Sequence, residues 1–213
     1  MKVLGISIEW LGHDSFRLKS ENKTIYIDPF DLDETEKADL VLVTHEHHDH
    51  CSCEDIEKIS AGKTSLICDS RSASKIEKSG VCNRILIIET GQEIKASGIN
   101  VKAVPAYNLK KPFHPRGLGA GYLIELNGIK VYHAGDTDFI PEMKELKGKV
   151  DIALLPVSGT YVMDAVEAVN AAEEIQPKIA IPMHYGSIIG SKKDAEKFEE
   201  LFSGKTIVLK RGE

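Results

Sequence analysis

Leu40-Val41-Leu42-Val43-Thr44-His45-Glu46-His47-His48-Asp49-His50 decides how the rest of the chain is read. Leucines and β-branched residues in an unbroken run, bounded by polar residues, predict a buried strand. The six residues after that run carry four histidines and two acids. They fall at the end of a strand, where a rigid sheet can hold a loop. Imidazole nitrogens and carboxylate oxygens are ligands that suit zinc and its borderline neighbours. His45, His47, Asp49 and His50 fill the pattern H-x-H-x-D-H.

The surrounding chain has 213 residues, a length one fold can hold, and residues 1–213 are read as a single domain. Its 42% hydrophobic and 28% charged residues are those of an ordinary globular protein. A net charge of −6 argues against a basic face for nucleic acid. Glutamine occurs only at Gln92 and Gln176 beside plentiful lysine, glutamate and isoleucine, a lean toward a heat-tolerant source. No run approaches the ~18 apolar residues of a membrane span, and no secretory leader pattern opens the chain. The expected location is therefore the cytoplasm. Four cysteines, Cys51, Cys53, Cys68 and Cys82, do not make a disulfide framework. Cys51 and Cys53 lie near enough to the histidines to be weighed as zinc ligands. The histidines and acids already supply enough donors, so a pair of small residues leading into a helix is the simpler reading.

Outward from the cluster, the elements follow from periodicity and turn residues. Val3–Glu9 reads as a strand. Phe16–Lys19 and Thr24–Ile27 pair across a turn at Glu21-Asn22-Lys23 and end at Asp28-Pro29-Phe30. An acidic loop, Asp31–Lys37, leads to the strand before the cluster. Ser52 to Ser60 predicts a helix with a capping-box start, stopping at Gly62, and Ser70–Ser79 a second helix ended by Gly80. Ser65–Cys68 and Arg84–Ile88 are short strands. Glu93–Ala96 with Ile99–Val104, and Gly121–Leu126 with Ile129–Tyr132, are hairpins about Ser97-Gly98 and Asn127-Gly128. Then come a short helix at Pro141–Leu146, a strand at Asp151–Leu155, a helix at Asp164–Ile175, a strand at Ile179–Pro182, a helix at Lys192–Phe202 and a last strand at Thr206–Leu209. The hairpin that ends in Asp28 echoes the one that runs into Asp136. Duplicating such a unit yields an α+β fold, an αββα sandwich of two mixed sheets packed face to face with helices outside.

Residues 105–119 differ in kind. They hold Pro105, Pro112 and Pro115 with Lys110, Lys111, His114 and Arg116, and no acid occurs from Pro105 to Ile124. A solvated connection is the plain reading of such a loop. A basic stretch in an acidic chain also fits an anion-binding element. Other strand ends deliver further candidates: Asp28, Asp136 in Gly135-Asp136-Thr137, and His184 in Pro182-Met183-His184-Tyr185. A site built from several strand ends is the usual geometry of catalysis on such a scaffold.

In order and spacing these motifs, with Trp10-Leu11-Gly12-His13-Asp14-Ser15-Phe16 and Asp28-Pro29-Phe30, resemble the metallo-β-lactamase superfamily over nearly the whole chain. The resemblance is to its small stand-alone hydrolases, relatives of the ascorbate-phosphate lactonases. It implies two divalent metal ions, zinc first and manganese second in expectation. His45 and His47 would hold one ion, Asp49, His50 and His184 the other, and Asp136 would bridge them. Asp28 would fix the tautomer of a ligand histidine. The family has a further histidine where this chain reads Pro105-Ala106-Tyr107-Asn108. Asn108 or, by preference, His114 would take that place. His13 lines the pocket or caps the first hairpin. His48 reads as a solvated loop residue and His133 as a sheet residue.

The implied activity is hydrolysis of a small anionic ester, lactone or phosphodiester by a metal-bound hydroxide. Asp49 would orient the nucleophile and shuttle its proton, and His114, when not a ligand, would serve as acid or oxyanion donor. A net charge of about +1 at the two-metal centre, together with Lys111, Arg116 and Tyr161, would hold the substrate. The alternatives are a nuclease or a non-hydrolytic metal-binding protein of the same fold. Nucleic acid as partner is disfavoured by the acidic chain, and self-association into a homo-oligomer is left open.

Overall fold

The computed structural model describes residues 1–20, 22–33 and 36–212. Glu21 of the predicted turn, and Glu34 and Thr35 of the acidic loop, lie outside the described residues. Among those described, the chain forms two sheets. The first has seven strands in sequence order: β1 (Lys2–Val3), β2 (Ile6–Gly12), β3 (Ser15–Ser20), β4 (Lys23–Ile27), β5 (Leu40–Leu42), β6 (Ser65–Cys68) and β7 (Ile85–Ile87). The second has six: β8 (Glu93–Ala96), β9 (Ile99–Val104), β10 (Gly121–Leu126), β11 (Ile129–His133), β12 (Ile152–Pro156) and β13 (Ile179–Met183).

Each sheet begins as an antiparallel meander and turns parallel at the strand that follows its hairpin. β4 pairs parallel with β5, and β11 pairs parallel with β12. In the inner parallel strands β5, β6 and β12, and in β13, both faces are buried, which is why they read as apolar runs. Leu40 and Leu42 of β5 face the second sheet, sharing one core with Ile25, Ile27, Val101, Ile124 and Leu154. Val41 and Val43 point the other way, into a separate core with Ile56 and Ile59 of α1 (Cys53–Ile59) and Ala73 and Ile76 of α2 (Ser70–Ser79). On the far face of the second sheet, α3 (Ala165–Ile175) and α4 (Lys192–Leu201) bury Ala168, Ala171, Ile175 and Phe198 over β12 and β13. This is the expected αββα sandwich.

Local chemistry sets the element ends. Ser52 caps α1 by accepting the Asp55 N–H, and Asp164 caps α3 in a full capping box with Glu167. Both hairpin turns, Ser97-Gly98 and Asn127-Gly128, take positive φ at both positions, as a two-residue type I′ turn requires. Three expectations are corrected. The first strand breaks at Leu4-Gly5, where both φ angles are positive, so β1 folds back on β2. Pro141–Leu146 is a 3₁₀ helix. The last strand, Thr206–Leu209, reduces to a single bridge to Ala180. There the Ala180 N–H donates to Lys205 O and Ile207 donates back to Ala180 O. The next outward donor along β13 would be residue 182, a proline with no N–H, so the ladder cannot extend.

The buried Asp55 ties the loop before β5 to α1. Its carboxylate accepts the N–H groups of Asp31 and Leu32 at 2.9 and 3.1 Å and the Lys58 ammonium at 2.9 Å. Burial alone would raise its pKa, but Lys58 and Ser52 outweigh it and hold the carboxyl below its ordinary value. Asp55→Ala should cost about 2 kcal/mol in urea denaturation at neutral pH. Because the folded pKa is the lower one, this contribution is whole above pH ~4 and is lost as pH falls through the folded value. The gap between wild type and variant should therefore close in acid.

Candidate metal centre

Asp28 is the first residue past β4, buried and in the left-handed region at φ 45°. Its Oδ1 accepts the Thr44 N–H at 2.7 Å. Its Oδ2 accepts the Thr44 hydroxyl at 2.6 Å and His50 Nδ1 at 2.8 Å. A carboxylate only accepts, so His50 Nδ1 carries hydrogen and Nε2 is left as the place for a proton or a metal ion. That Nε2 lies 3.5 Å from Asp136 Oδ1 and 3.8 Å from Asp49 Oδ2, with no hydrogen-bond partner.

The same logic orients the other imidazoles. The Thr44 hydroxyl gives its hydrogen to Asp28, so it accepts from His45 Nδ1 at 3.0 Å and leaves His45 Nε2 as a lone pair. Asn108 donates its amide hydrogens to Asp138 Oδ1 at 3.1 Å and Tyr161 O at 2.9 Å. Its Oδ1 therefore faces His114 Nδ1, at 3.2 Å, and turns His114 Nε2 inward. Ser158 Oγ meets His184 Nδ1 at 2.8 Å and leaves His184 Nε2 3.3 Å from Asp136 Oδ2. His114 Nε2 reaches the same oxygen at 3.1 Å.

Three donor groups result among the described residues, two of them overlapping. His45, His47 and His114 offer nitrogens within 4.8 Å of one another, and so do Asp14, His50, Asp136 and His184 with their nitrogens and oxygens, while His13 forms a further group with His50 and His184. His45 Nε2 faces His47 Nδ1 at 2.9 Å, and that atom faces His114 Nε2 at 3.3 Å. His47 Nδ1 either donates a hydrogen to His45 Nε2 or, in the other tautomer, offers a lone pair to a cation placed among the three rings. His50 Nε2 and Asp136 Oδ1 face each other at 3.5 Å, but among the described residues neither has a hydrogen bond, a costly state for buried polar atoms. The residues thus fit metal ions on the geometry of their donors.

Electrostatics point the same way. Burial and the charge of His50 hold His45 well below its ordinary pKa, and burial and His114 lower His47, so both stay neutral and ligand-ready. Burial would raise the Asp136 carboxyl, but His184 and His50 overcome it and keep Asp136 ionised. Burial likewise opposes the charge on His50, and Asp136 and Asp28 outweigh it. Asp49 is held well down against burial by a 3.1 Å hydrogen bond from His13 and by His50.

The structure brings His45, His47, Asp49, His50, His114, Asp136 and His184 to one place. Asn108 lies behind His114, outside the donor sets. His13 packs its ring 4.1 Å from that of His184 and holds Asp49. His48 is exposed, and His133 is outside the sets, bonded to Gly135 N and Asp14 O. Cys51 and Cys53 are also outside, and burial pushes the Cys51 thiol up to about 12. Lys111 is bound to Asp138 at 2.6 Å and Arg116 to Glu142 at 2.6 Å, while the Tyr161 ring packs edge-on against Phe113 at 4.7 Å. Sequence reasoning missed Asp14, Ser158, Arg71 and Gly119. Arg71, paired with Glu46, lines a cleft of about 40 Å³ beside His45, His47, Phe113 and His114. Gly119, at φ 84°, packs so closely that a Cβ would stand 2.8 Å from that of His45.

The fold and this centre define a metallo-β-lactamase-type protein. The chain belongs to the β-lactamase superfamily, residues 7–184 matching the family described as Beta-lactamase superfamily domain. It is similar to the UPF0173 metal-dependent hydrolase of Thermoplasma acidophilum, 38% identical over 92% of this chain and 90% of that one. Among solved structures, a protein of Parabacteroides distasonis superposes with a TM-score of 0.85 at 34% identity, covering 95% of this chain and 92% of that one. Igni18, a metallo hydrolase from Ignicoccus hospitalis, superposes with a TM-score of 0.80 at 26% identity, covering 98% and 96%.

Asn108→Ala removes the acceptor that turns His114 inward. Metal affinity should fall about 10–100-fold by isothermal titration. Gly119→Ala, which is strained at φ 84° and crowds His45, should lower it too.

Proposed function

We propose that this metal-dependent hydrolase of the metallo-β-lactamase superfamily cleaves a small ester, lactone or phosphodiester at a two-ion centre. The observation that supports this most is the pair of convergent donor sets meeting at Asp136, whose Oδ2 lies 3.1 Å from His114 Nε2 and 3.3 Å from His184 Nε2. His45, His47 and His114 would hold one ion. Asp49, His50 and His184 would hold the other, with Asp136 between them. Divalent ions supply Lewis acidity toward a scissile oxygen and lower the pKa of bound water to about 7.

The chain's own groups do the rest. Asp49 is more open to solvent than Asp136, with 15% of its side chain exposed against 4%. Kept ionised by His13, its carboxylate can take a proton from the nucleophile and return it to the leaving group. Oδ1 stands 3.5 Å from Nδ1 of the exposed His48, which opens a route for that proton to bulk water. Asn108, Ser158, Thr44 and Asp28 hold the imidazoles and leave their inward nitrogens free. Phe113, whose ring packs edge-on against Tyr161, lines the cleft together with Arg71. The charges of Lys111 and Arg116 are matched by Asp138 and Glu142, so attraction for an anion would come mainly from the centre itself.

Metal analysis followed by a panel of lactones, carboxyl esters and phosphodiesters tests the proposal. Stoichiometric metal and hydrolysis of one class are expected, with kcat lowered about 10²–10⁴-fold in Asp49→Ala. Chelation should abolish turnover and lower the melting temperature, and added metal should restore both. Undiminished activity in Asp49→Ala, or metal-free protein that turns over as fast, would sink it.

A further inference from the structure

Asp14 lies in the turn between β2 and β3, on the opposite sheet from Asp136. Its side chain is fully buried, at 0% exposure; among the described residues neither carboxylate oxygen has a hydrogen-bond partner, and the imidazole facing it is that of His50, with Nδ1 4.0 Å from Oδ2. A buried carboxyl left without a hydrogen bond is among the more destabilising features a fold can carry. The backbone is nevertheless arranged to keep it there. His133 Nδ1 accepts the Gly135 N–H at 3.2 Å, so Nε2 carries hydrogen and donates to Asp14 O at 2.9 Å. One imidazole thus locks the Asp14 turn to the loop that bears Asp136. An oxygen of Asp14 lies within 4.8 Å of ligand atoms on His50, Asp136 and His184, and those atoms lie equally close to one another. On two of these residues an atom, His50 Nε2 or Asp136 Oδ1, is buried without a hydrogen bond among the described residues, and the two atoms lie 3.5 Å apart.

We propose that Asp14 is a ligand of the second ion, giving that position an oxygen-rich donor set that suits a harder cation such as Mn²⁺. This rests on the two-ion reading above. Carboxylate donors suit manganese and imidazoles suit zinc. With Asp14, Asp49 and Asp136 beside His50 and His184, the second position is mainly carboxylate. The first, with His45, His47 and His114, is mainly imidazole. The two positions then differ in hardness, and zinc in the first leaves the second selective. An ionised Asp14 also removes one positive charge from the centre, which weakens its pull on anionic substrates relative to neutral esters and lactones.

The test uses the full chain, stripped of metal, loaded with one equivalent of Zn²⁺ and titrated with Mn²⁺. Bound Mn²⁺ is read from loss of the free-ion electron paramagnetic resonance signal. Wild type should take up one Mn²⁺. Asp14→Ala and the near-isosteric Asp14→Asn should weaken Mn²⁺ by tenfold or more while retaining the first zinc. The metal-free variants should melt no lower than metal-free wild type, since they lose a buried acid whose oxygens have no hydrogen bond among the described residues. Unchanged Mn²⁺ affinity in both variants, or a lower metal-free melting temperature with unchanged affinity, would overturn the proposal. His50→Ala separates the two levels. If it abolishes Mn²⁺ binding while the Asp14 variants do not, the two-ion reading stands and the role of Asp14 falls. If it too binds Mn²⁺ normally, both fall.

Discussion

Three hydrogens converge on the buried carboxylate of Asp28, and much of the centre depends on that convergence. The Thr44 N–H and hydroxyl and His50 Nδ1 approach it at 2.7, 2.6 and 2.8 Å. Because a carboxylate accepts and never donates, the contact settles more than one ring. It makes the Thr44 hydroxyl an acceptor for His45 and turns His50 Nε2 toward Asp136. Asn108 does the equivalent for His114 from the other sheet, and Ser158 holds the His184 ring by its Nδ1. The inward nitrogens are therefore preset before any ion arrives, which lowers the reorganisation that binding requires. Burying this many imidazoles and carboxylates is unfavourable by itself, and a bound cation offsets it.

The two sheets explain why the donors meet. β4 and β11 are each the second strand of a hairpin, each pairs parallel with the strand that follows, and each delivers an aspartate past its end. Asp28 acts behind the donors and Asp136 among them. The two halves have diverged at equivalent places. Thr44 and the histidines follow β5, whereas Val157 and Ser158 follow β12, and only the serine keeps a role, in orienting His184. Because His45, His47, Asp49 and His50 come from one sheet and His114, Asp136 and His184 from the other, the centre lies on the seam. Ala120 N–H donating to Thr44 O at 2.9 Å, and Gly119 packed on His45, close that seam at one end.

What could be read from sequence was whatever local chemistry imposes. The run Leu40–Val43 announces a strand buried on both faces, Asn127-Gly128 a tight hairpin, and H-x-H-x-D-H a loop of ligands. What could not be read depends on contacts between sheets. Asp14 looks like an ordinary turn acid until His133, distant in sequence, is seen to hold its backbone. Ser158 has no local mark at all, since its role exists only because β12 and β13 lie side by side. The failed last strand turns on a missing N–H at Pro182, a residue legible by itself whose consequence needs the register of Ala180 against Thr206.

The basic loop shows how a charge reading changes when partners are known. Lys111 looks from sequence like an anion trap. In the fold its ammonium lies 2.6 Å from Asp138 Oδ1. Asp138 is buried, and its two oxygens also receive Asn108 Nδ2 and the Leu109 N–H, at 3.1 and 2.8 Å. Asn108 in turn aims His114. Lys111 therefore compensates the charge of the acid that anchors the amide that orients His114, and Glu167 lies 3.8 Å from its ammonium. A positive side chain this far committed cannot also steer substrate strongly. What the loop brings to the cleft is therefore His114 and the apolar face of Phe113 rather than a free positive charge.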